Sequence, residues 1–140
     1  MRLISILAAL FILATPGLAQ ADNASGLSGE WVGSYVCNQG KTSLNLLLAG
    51  EEDGTVAGVF TFGKARDGDQ KVPDGSYRFT GTVRNGLLRL QGETWITRPD
   101  RYEMVGLLGF VGFGDFEAID GFSGQVLGEG CKTFTVKRTD

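Results

Sequence analysis

The sequence predicts an all-β protein: a single antiparallel up-and-down β-barrel of about eight strands, with its first and last strands joined by a disulfide. Short runs of alternating apolar and polar residues are separated by turn residues, and none has the period of an amphipathic helix. Glycine is abundant, at 22 of 140 residues. The two cysteines, Cys37 and Cys131, lie near opposite ends of the domain.

Residues 1–21 have the pattern of a secretory signal peptide. Arg2 gives a positive start, residues 3–14 form an apolar run, and Ala19-Gln20-Ala21 supplies the small residues read by signal peptidases. A membrane anchor is the alternative, but a run of about 12 residues is shorter than the roughly 20 that span a bilayer. We therefore expect export to the periplasm or the exterior, a mobile N-terminal tail at 22–28 and one β-barrel domain at 29–140.

The charged residues exclude several classes of partner and reaction. Removing Arg2 with the leader leaves 12 basic and 16 acidic residues, a net charge of −4. An acidic chain without a basic stripe lacks the electrostatic drive toward nucleic acid or anionic membranes. The chain has no histidine, which removes the usual general base and the Ser–His and Cys–His nucleophile systems. We expect no metal, no cofactor and no catalytic residues.

The cysteine pair predicts the closure of the sheet. Two cysteines in an exported protein fit an oxidising compartment, and no histidine is present to complete a zinc site with them. A Cys37–Cys131 bond would hold the first and last strands side by side. Direct pairing of the cysteines would also set Trp31 opposite Lys137.

The predicted faces of the last strand conflict with that direct pairing. Its inward residues are predicted to be Phe134, Val136 and Arg138. Cys131 then falls on the outward parity. A bulge, or a position for Cys131 in the turn before the strand, would resolve the conflict.

The strands are predicted in chain order from the alternation and the turn signals. Asn85-Gly86 between two apolar runs is typical of a type I′ hairpin. Trp95-Ile96 either extends the fifth strand or follows it. Because the connections are short, successive strands should pair antiparallel. The predicted strands are 29–37, 42–49, 55–62, 76–84, 87–91, 102–108, 119–127 and 132–138.

Five of these strands carry a large residue, a glycine and a large residue at alternating positions. Glycine weakens a strand, so its repetition asks for a structural reason. A small barrel supplies one, because its strands coil sharply and its interior alternates small and large residues. One alternative is a glycine-rich sheet in which the spacing arises by chance, and the main competing fold is a flattened sandwich. The glycines are Gly33, Gly58, Gly81, Gly106 and Gly124.

Candidate binding residues fall into three groups. The barrel interior is one, where a small apolar ligand would contact Tyr35, Phe60, Phe79 and Met104. The segment around Pro99 is the second, because Trp, Tyr and Arg are enriched at binding hot spots; it contains Trp95, Arg98, Arg101 and Tyr102. The third is a glycine-rich loop with Phe110, Phe113 and Phe116.

The second and third groups also have a structural alternative. Trp95 and Tyr102 would instead be core residues beside a turn, with exposed arginines. The phenylalanine loop would instead be an irregular strand packed on the barrel end. The carboxylates of Asp67 and Asp69 read as a solvated turn.

Leu27-x-Gly29-x-Trp31 on the first strand, together with Arg138 on the last, resembles the signature of calycins, the barrels of lipocalins and avidins. The resemblance implies that Trp31 closes one end of the barrel and that Arg138 packs across it. An arginine stacked on an indole is a favourable cation–π contact. The later lipocalin motifs and the avidin biotin-site pattern are absent, so the resemblance implies no ligand.

Tyr35-Val36-Cys37-Asn38-Gln39-Gly40 is similar to the opening of periplasmic c-type lysozyme inhibitors, which are also small disulfide-closed barrels. This resemblance implies inhibition of a hydrolase, a lysozyme or a protease, as an alternative function. The chain shows no counterpart of their inhibitory loop, so the resemblance assigns no inhibitory residues.

The sequence therefore predicts an exported, non-enzymatic binding protein. In one version a small apolar molecule occupies the interior, and in the other the loops bind a protein. A filled interior would favour the loops, and an apolar cavity of several hundred Å³ would favour the ligand. An enzyme that uses carboxylates alone is the third hypothesis.

Overall fold

The computed structural model describes residues 12, 21–68 and 71–139. The predicted signal peptide therefore lies, apart from Ile12 and Ala21, outside the described residues. Across the described ranges, no helix has the length and apolar character needed to cross a membrane.

Eight antiparallel strands form a closed barrel in which each strand pairs with its neighbour in the chain. The first strand also pairs with the last, which closes the sheet. The predicted fold class is thus confirmed, and the sandwich alternative is wrong. Short 3-10 helices occur at Ser25–Leu27 and Phe116–Ala118. The strands are β1 (Gly29–Cys37), β2 (Gly40–Gly50), β3 (Thr55–Lys64), β4 (Gly75–Arg84), β5 (Leu87–Thr97), β6 (Gly106–Phe110), β7 (Gly121–Leu127) and β8 (Thr133–Arg138).

The two ends of the barrel differ in how they are closed. We call the end where β1 begins the Trp31 end; it also carries residues 22–28, the Asn85-Gly86 turn and the loop 111–120. We call the other the disulfide end; it carries Cys37, the loop 98–105 and the turn before β8. The second and third predicted groups of binding residues therefore lie at opposite ends.

Strand boundaries differ from the prediction mainly around Pro99. β5 continues through Trp95-Ile96 to Thr97, whereas β6 begins only at Gly106 instead of Tyr102. Arg101 takes a left-handed conformation, with a φ of 66°, and the Tyr102 backbone N–H donates to the Pro99 carbonyl at 3.3 Å. The turn thus extends past Pro99, and the next residues cross the disulfide end before β6 starts.

The barrel interior is filled by side chains from all eight strands. Trp31, Tyr77, Phe60 and Phe79 are among its largest fully buried members. Four of the five glycine repeats face inward as predicted, but the repeat on β6 does not. On β6 it is Leu107 that is buried, and Leu108 is partly exposed.

The glycine repeats mark places where neighbouring strands approach closely. At each of the five glycines, a Cβ atom would meet a backbone carbonyl oxygen of the adjacent strand. This crowding explains the repetition, because an alanine would force the paired strands apart. The oxygens belong to Thr135 (beside Gly33), Leu47 (Gly58), Arg89 (Gly81), Leu90 (Gly106) and Leu108 (Gly124).

The disulfide forms between Cys37 and Cys131, as predicted. The parity conflict is resolved by the turn: Cys131 precedes β8, and its N–H donates to the Gly128 carbonyl at 3.3 Å. Trp31 consequently lies opposite Arg138 in the ladder, so the direct pairing of the cysteines, which would set Trp31 opposite Lys137, does not occur.

The predicted mobile tail at 22–28 is instead a packed segment. Ala24 and Leu27 are fully buried, and the 3-10 helix Ser25–Leu27 lies against the loop 111–120. The Asp22 N–H donates to the Val83 carbonyl at 3.1 Å, and the Ala24 N–H donates to the Glu51 carbonyl at 2.8 Å. The segment therefore covers the Trp31 end of the core. The apolar residues of 22–28 are too few and too widely separated by polar residues to predict this packing.

Candidate functional site

A cluster of aromatic rings fills the barrel below the disulfide end. The ring centroids of Phe60 and Tyr77 are 4.6 Å apart and stacked, and Tyr35 meets Phe60 edge-on at 5.5 Å. Tyr77 also meets Trp95 edge-on at 5.2 Å. Tyr35, Phe60 and Phe79, which were predicted to line a ligand cavity, are therefore buried and packed.

Tyr77 holds the loop that crosses this end. Its hydroxyl donates to the Val105 carbonyl at 2.7 Å and accepts from the Val105 N–H at 3.2 Å. Burial raises the pKa of Tyr77 far above its ordinary value, so the hydroxyl stays protonated and able to donate. Val105 and the neighbouring Met104 are thereby fixed over the aromatic cluster.

The disulfide end carries an open recess of about 470 Å³. Its apolar floor includes Tyr35, Tyr102 and the Cys37–Cys131 disulfide. Amide and charged groups lie around that floor, which is the usual composition of a recognition site. The lining residues are Tyr35, Cys37, Asn38, Gln39, Arg101, Tyr102, Glu103, Met104, Val105, Gly128, Glu129 and Cys131.

Tyr35 connects the recess to the interior. Burial raises the pKa of Tyr35 far above its ordinary value, the proximity of Tyr102 raises it further, and a hydrogen bond with Gln39 opposes both effects. The phenol is therefore neutral at the base of the recess. Neutral Tyr35 can donate or accept a hydrogen bond there.

The predicted segment around Pro99 forms one wall beside this recess. The Arg98 guanidinium carbon lies 5.6 Å from the Trp95 ring centroid, and Arg98 Nη2 lies 3.2 Å from Glu103 Oε1. Tyr102 stacks on Phe62 at 5.5 Å. Trp95 and Tyr102 are thus part of the core edge, as the structural alternative held, while their neighbouring arginines remain exposed.

Arg101 and Met104 take different positions on this wall. The Arg101 side chain is almost fully exposed at the rim, 3.9 Å from Asp100 Oδ2. Met104 is partly buried at the recess instead of inside the barrel. The structure therefore corrects the predicted interior position of Met104, and the reason is that β6 begins after it.

The phenylalanine loop lies at the Trp31 end, away from the recess. Phe116 is buried, whereas Phe110 and Phe113 are exposed. The burial of Phe116 agrees with the packed alternative. The exposure of Phe110 and Phe113 leaves these two side chains available for the predicted contact surface.

Trp31 and Arg138 meet as the sequence resemblance implied. The guanidinium carbon lies 4.2 Å from the centroid of the indole ring, and Trp31 Nε1 donates to the Leu27 carbonyl at 2.9 Å. Arg138 also donates to the Gly26, Ser28, Phe116 and Ile119 carbonyls. Both residues seal the end of the barrel, so their role here is structural.

Two acidic side chains of the loops, Asp67 and Asp115, each have a local hydrogen-bond partner. Asp67 bonds Lys41 at 2.8 Å, and that hydrogen bond lowers the pKa of the exposed Asp67 carboxyl. Asp115 Oδ1 caps a 3-10 helix by accepting from the Glu117 N–H at 2.9 Å. Asp69 lies outside the described residues. Within the described ranges, no group of three acidic or cysteine side chains is placed to hold a metal ion.

Sequence reasoning missed several residues of the recess. Asn38, Gln39, Glu103 and Glu129 line the recess but are not among the predicted binding residues. Asn38, Gln39 and Glu129 lie beside the two cysteines in the chain. A predicted disulfide brings its flanking turns together, and this is the signal that could have identified these three residues. A Cβ on Gly130 would in fact meet the Asn38 side chain.

A second concavity of about 460 Å³ lies on the outer wall across β2–β5. Small and hydroxyl side chains such as Ala57, Thr80 and Thr82 line much of it, and no aromatic side chain does. The recess at the disulfide end combines aromatic, amide and charged groups, so we take it as the candidate site. The chain matches no protein-family model, and comparisons with curated proteins and with solved structures found no significant match.

Proposed function

We propose that this protein is an exported, non-enzymatic binding protein that engages a protein partner through the recess at the disulfide end. The observation that carries the proposal is the pairing of a filled interior with an open recess. The interior aromatics pack against one another, which disfavours a ligand inside the barrel. The recess offers exposed groups of both charges around an aromatic floor.

The composition of this end favours a protein as the partner. Tyr, Trp and Arg are the residue types most enriched at energetic centres of protein interfaces. Tyr102 lines the recess, and the Trp95–Arg98 stack stands beside it. A volume of about 470 Å³ accommodates one or two protruding side chains of a partner.

The first experiment is native mass spectrometry of the protein purified from its source. We expect a copurifying protein that is lost from the variant Arg101→Glu, because this substitution reverses a charge at the recess rim. Arg66→Glu is the matched control, since Arg66 is exposed but does not line the recess. Loss of the partner from both variants, or from neither, would argue against the recess as the site.

A small molecule in the same recess is the second candidate, favoured by a volume within the range of ligand sites. The same native mass spectra distinguish a protein partner from a small-molecule ligand. A retained small mass that disappears with Arg101→Glu, with no attached protein, would replace the first proposal.

Hydrolase inhibition is a specific form of the first proposal. The segment Tyr35–Gly40, which is similar to the opening of lysozyme inhibitors, contributes Asn38 and Gln39 to the recess. Bacterial-wall lysis by c-type lysozyme, followed with increasing amounts of the protein, tests it. We expect slower lysis with the unmodified protein and less inhibition with Gln39→Arg, which would fill the recess.

Export and calycin membership belong to the same proposal. The apolar run before Ala21 supports export, and the Trp31–Arg138 stack supports the calycin resemblance. N-terminal sequencing of the protein recovered outside the cytoplasm should begin at Asp22. A start at Met1 would overturn signal-peptide cleavage.

A further inference from the structure

Three exposed apolar side chains form a continuous patch near the Trp31 end. Phe113 is 75% exposed, Phe110 59% and Leu87 45%. Leu87 lies opposite Phe110 in the ladder between β5 and β6, and the rings of Phe110 and Phe113 are 6.2 Å apart. We call this surface the Phe113 patch. Contiguous apolar surface of this kind marks interaction sites on soluble proteins.

The backbone of the loop holds Phe113 outward. Val111 and Phe116 are buried on either side of it, and the Val111 N–H donates to the Gly86 carbonyl at 2.8 Å. Gly112 and Gly114 take left-handed φ values of 82° and 103°, and a Cβ at either would meet nothing within 4 Å. Backbone conformation, not crowding, therefore requires these glycines, and it projects the ring into solvent.

Charges of opposite sign flank the Phe113 patch on two sides. Arg84 lies opposite Leu87, and Arg89 follows on the same outward face of β5. Asp115 and Glu117 come after Phe113 where the loop crosses the barrel end. None of these four side chains forms an ion pair with another described residue.

We propose that the Phe113 patch is the interface of a two-fold symmetric dimer of this chain. In such an interface each copy presents the same surface. A two-fold axis that runs between the arginine side and the acidic side sets the arginines of one copy against the carboxylates of the other. The unpaired charges then find partners, and the phenylalanines are covered. An anionic lipid surface would meet the repulsion of Asp115 and Glu117. Pairing of strand edges is excluded, because the eight described strands form a closed sheet.

Sedimentation velocity across a wide concentration range tests the dimer. We expect a reversible monomer–dimer equilibrium, and Phe113→Ser should weaken it by roughly tenfold or more, as expected for a central interface aromatic. Leu47→Ser is the matched control, because Leu47 is similarly exposed but lies on β2. A melting curve for each variant verifies that it folds. A protein that stays monomeric at the highest concentration, or a dimer insensitive to Phe113→Ser, would overturn the proposal.

A charge exchange tests the two-fold arrangement. Arg89→Glu should weaken the dimer by roughly tenfold, since it places like charges across the interface. Adding Glu117→Arg to the same chain should restore the affinity, because both signs are then reversed. If the double variant stays as weak as Arg89→Glu, the two copies do not meet in this way and the proposal fails.

Discussion

At the scale of single residues, Arg138 connects parts of the chain that are far apart in sequence. Its guanidinium stacks on Trp31 and donates to carbonyls from both the N-terminal segment and the loop 111–120. The planar fork can make these contacts at once, whereas an ammonium group is a single point charge. Arg138 therefore contributes to the closure of the Trp31 end through several contacts at once.

We predict that Arg138→Ala lowers the free energy of unfolding by about 2–4 kcal/mol, because it removes charged hydrogen bonds and the cation–π contact together. Arg138→Lys should recover less than half of that loss. Lys137→Ala is the control, since Lys137 points outward on the same strand. Urea denaturation measures all three, and equal losses for positions 137 and 138 would contradict the prediction.

Two buried tyrosines make the stability depend on alkaline pH. Burial raises the pKa of both Tyr35 and Tyr77 above their unfolded values. Below the unfolded pKa of about 10, both states keep the phenols neutral and stability is full. Above it the unfolded chain ionises and the folded chain does not, so stability falls by about 1.4 kcal/mol per pH unit for each tyrosine.

We predict that Tyr35→Phe removes about half of this tyrosine-dependent slope above pH 10. Unfolding free energies from urea titrations on either side of that pH give the slope for each protein. Contributions to the slope that the two proteins share cancel in the difference. Identical slopes in the two proteins would show that Tyr35 has the same pKa in the folded and unfolded states.

The sequence was informative about residues whose role follows from chain position. The calycin resemblance implied that Arg138 of the last strand packs across Trp31 of the first, and the two side chains do stack at the end of the barrel. Met104 was placed on the wrong side because its face depends on where β6 begins. That boundary depends on the left-handed turn at Arg101, which is uncommon for a residue other than glycine and carries no sequence signal.

At the scale of elements, alternation and turn residues predicted all eight strands, but they left the register of the closing pair open, because direct pairing of the cysteines conflicted with the faces of the last strand. Ladder spacing alone cannot place a cysteine that lies in a turn. The Lys132 N–H donates to the Val36 carbonyl at 2.8 Å, so the chain joins β1 just after Cys131. The disulfide therefore fastens a turn to the end of β1 and leaves the β8 ladder undistorted.

We predict that replacing both Cys37 and Cys131 with serine lowers the free energy of unfolding by about 2–5 kcal/mol, because the bond closes a segment of 94 residues. The crosslink restricts the conformations of the unfolded chain. Its removal should therefore lower the urea concentration at the unfolding midpoint. The unmodified protein in a reducing agent should match the double variant, which provides the control. A midpoint unchanged by both treatments would show that the strands close without the bond.

At the scale of the molecule, the two ends of the barrel differ in structure. The Trp31 end is sealed by residues 22–28, the loop 111–120 and Arg138, and the disulfide end keeps an open recess. A dimer formed through the Phe113 patch would leave the recess of each copy free. Two linked recesses would raise the avidity for a repetitive partner without any new contact.

The sealing of the Trp31 end depends on a segment outside the strands. Leu27 is fully buried, and its carbonyl accepts the Trp31 indole N–H. We predict that Leu27→Ala lowers the free energy of unfolding by about 2–5 kcal/mol, as for other large-to-small changes in a core. Ser25→Ala, at an exposed site of the same 3-10 helix, should cost much less.

Removing residues 22–28 should expose the indole of Trp31 and shift tryptophan emission to longer wavelength. Unchanged emission after the deletion would mean that the strands alone seal this end.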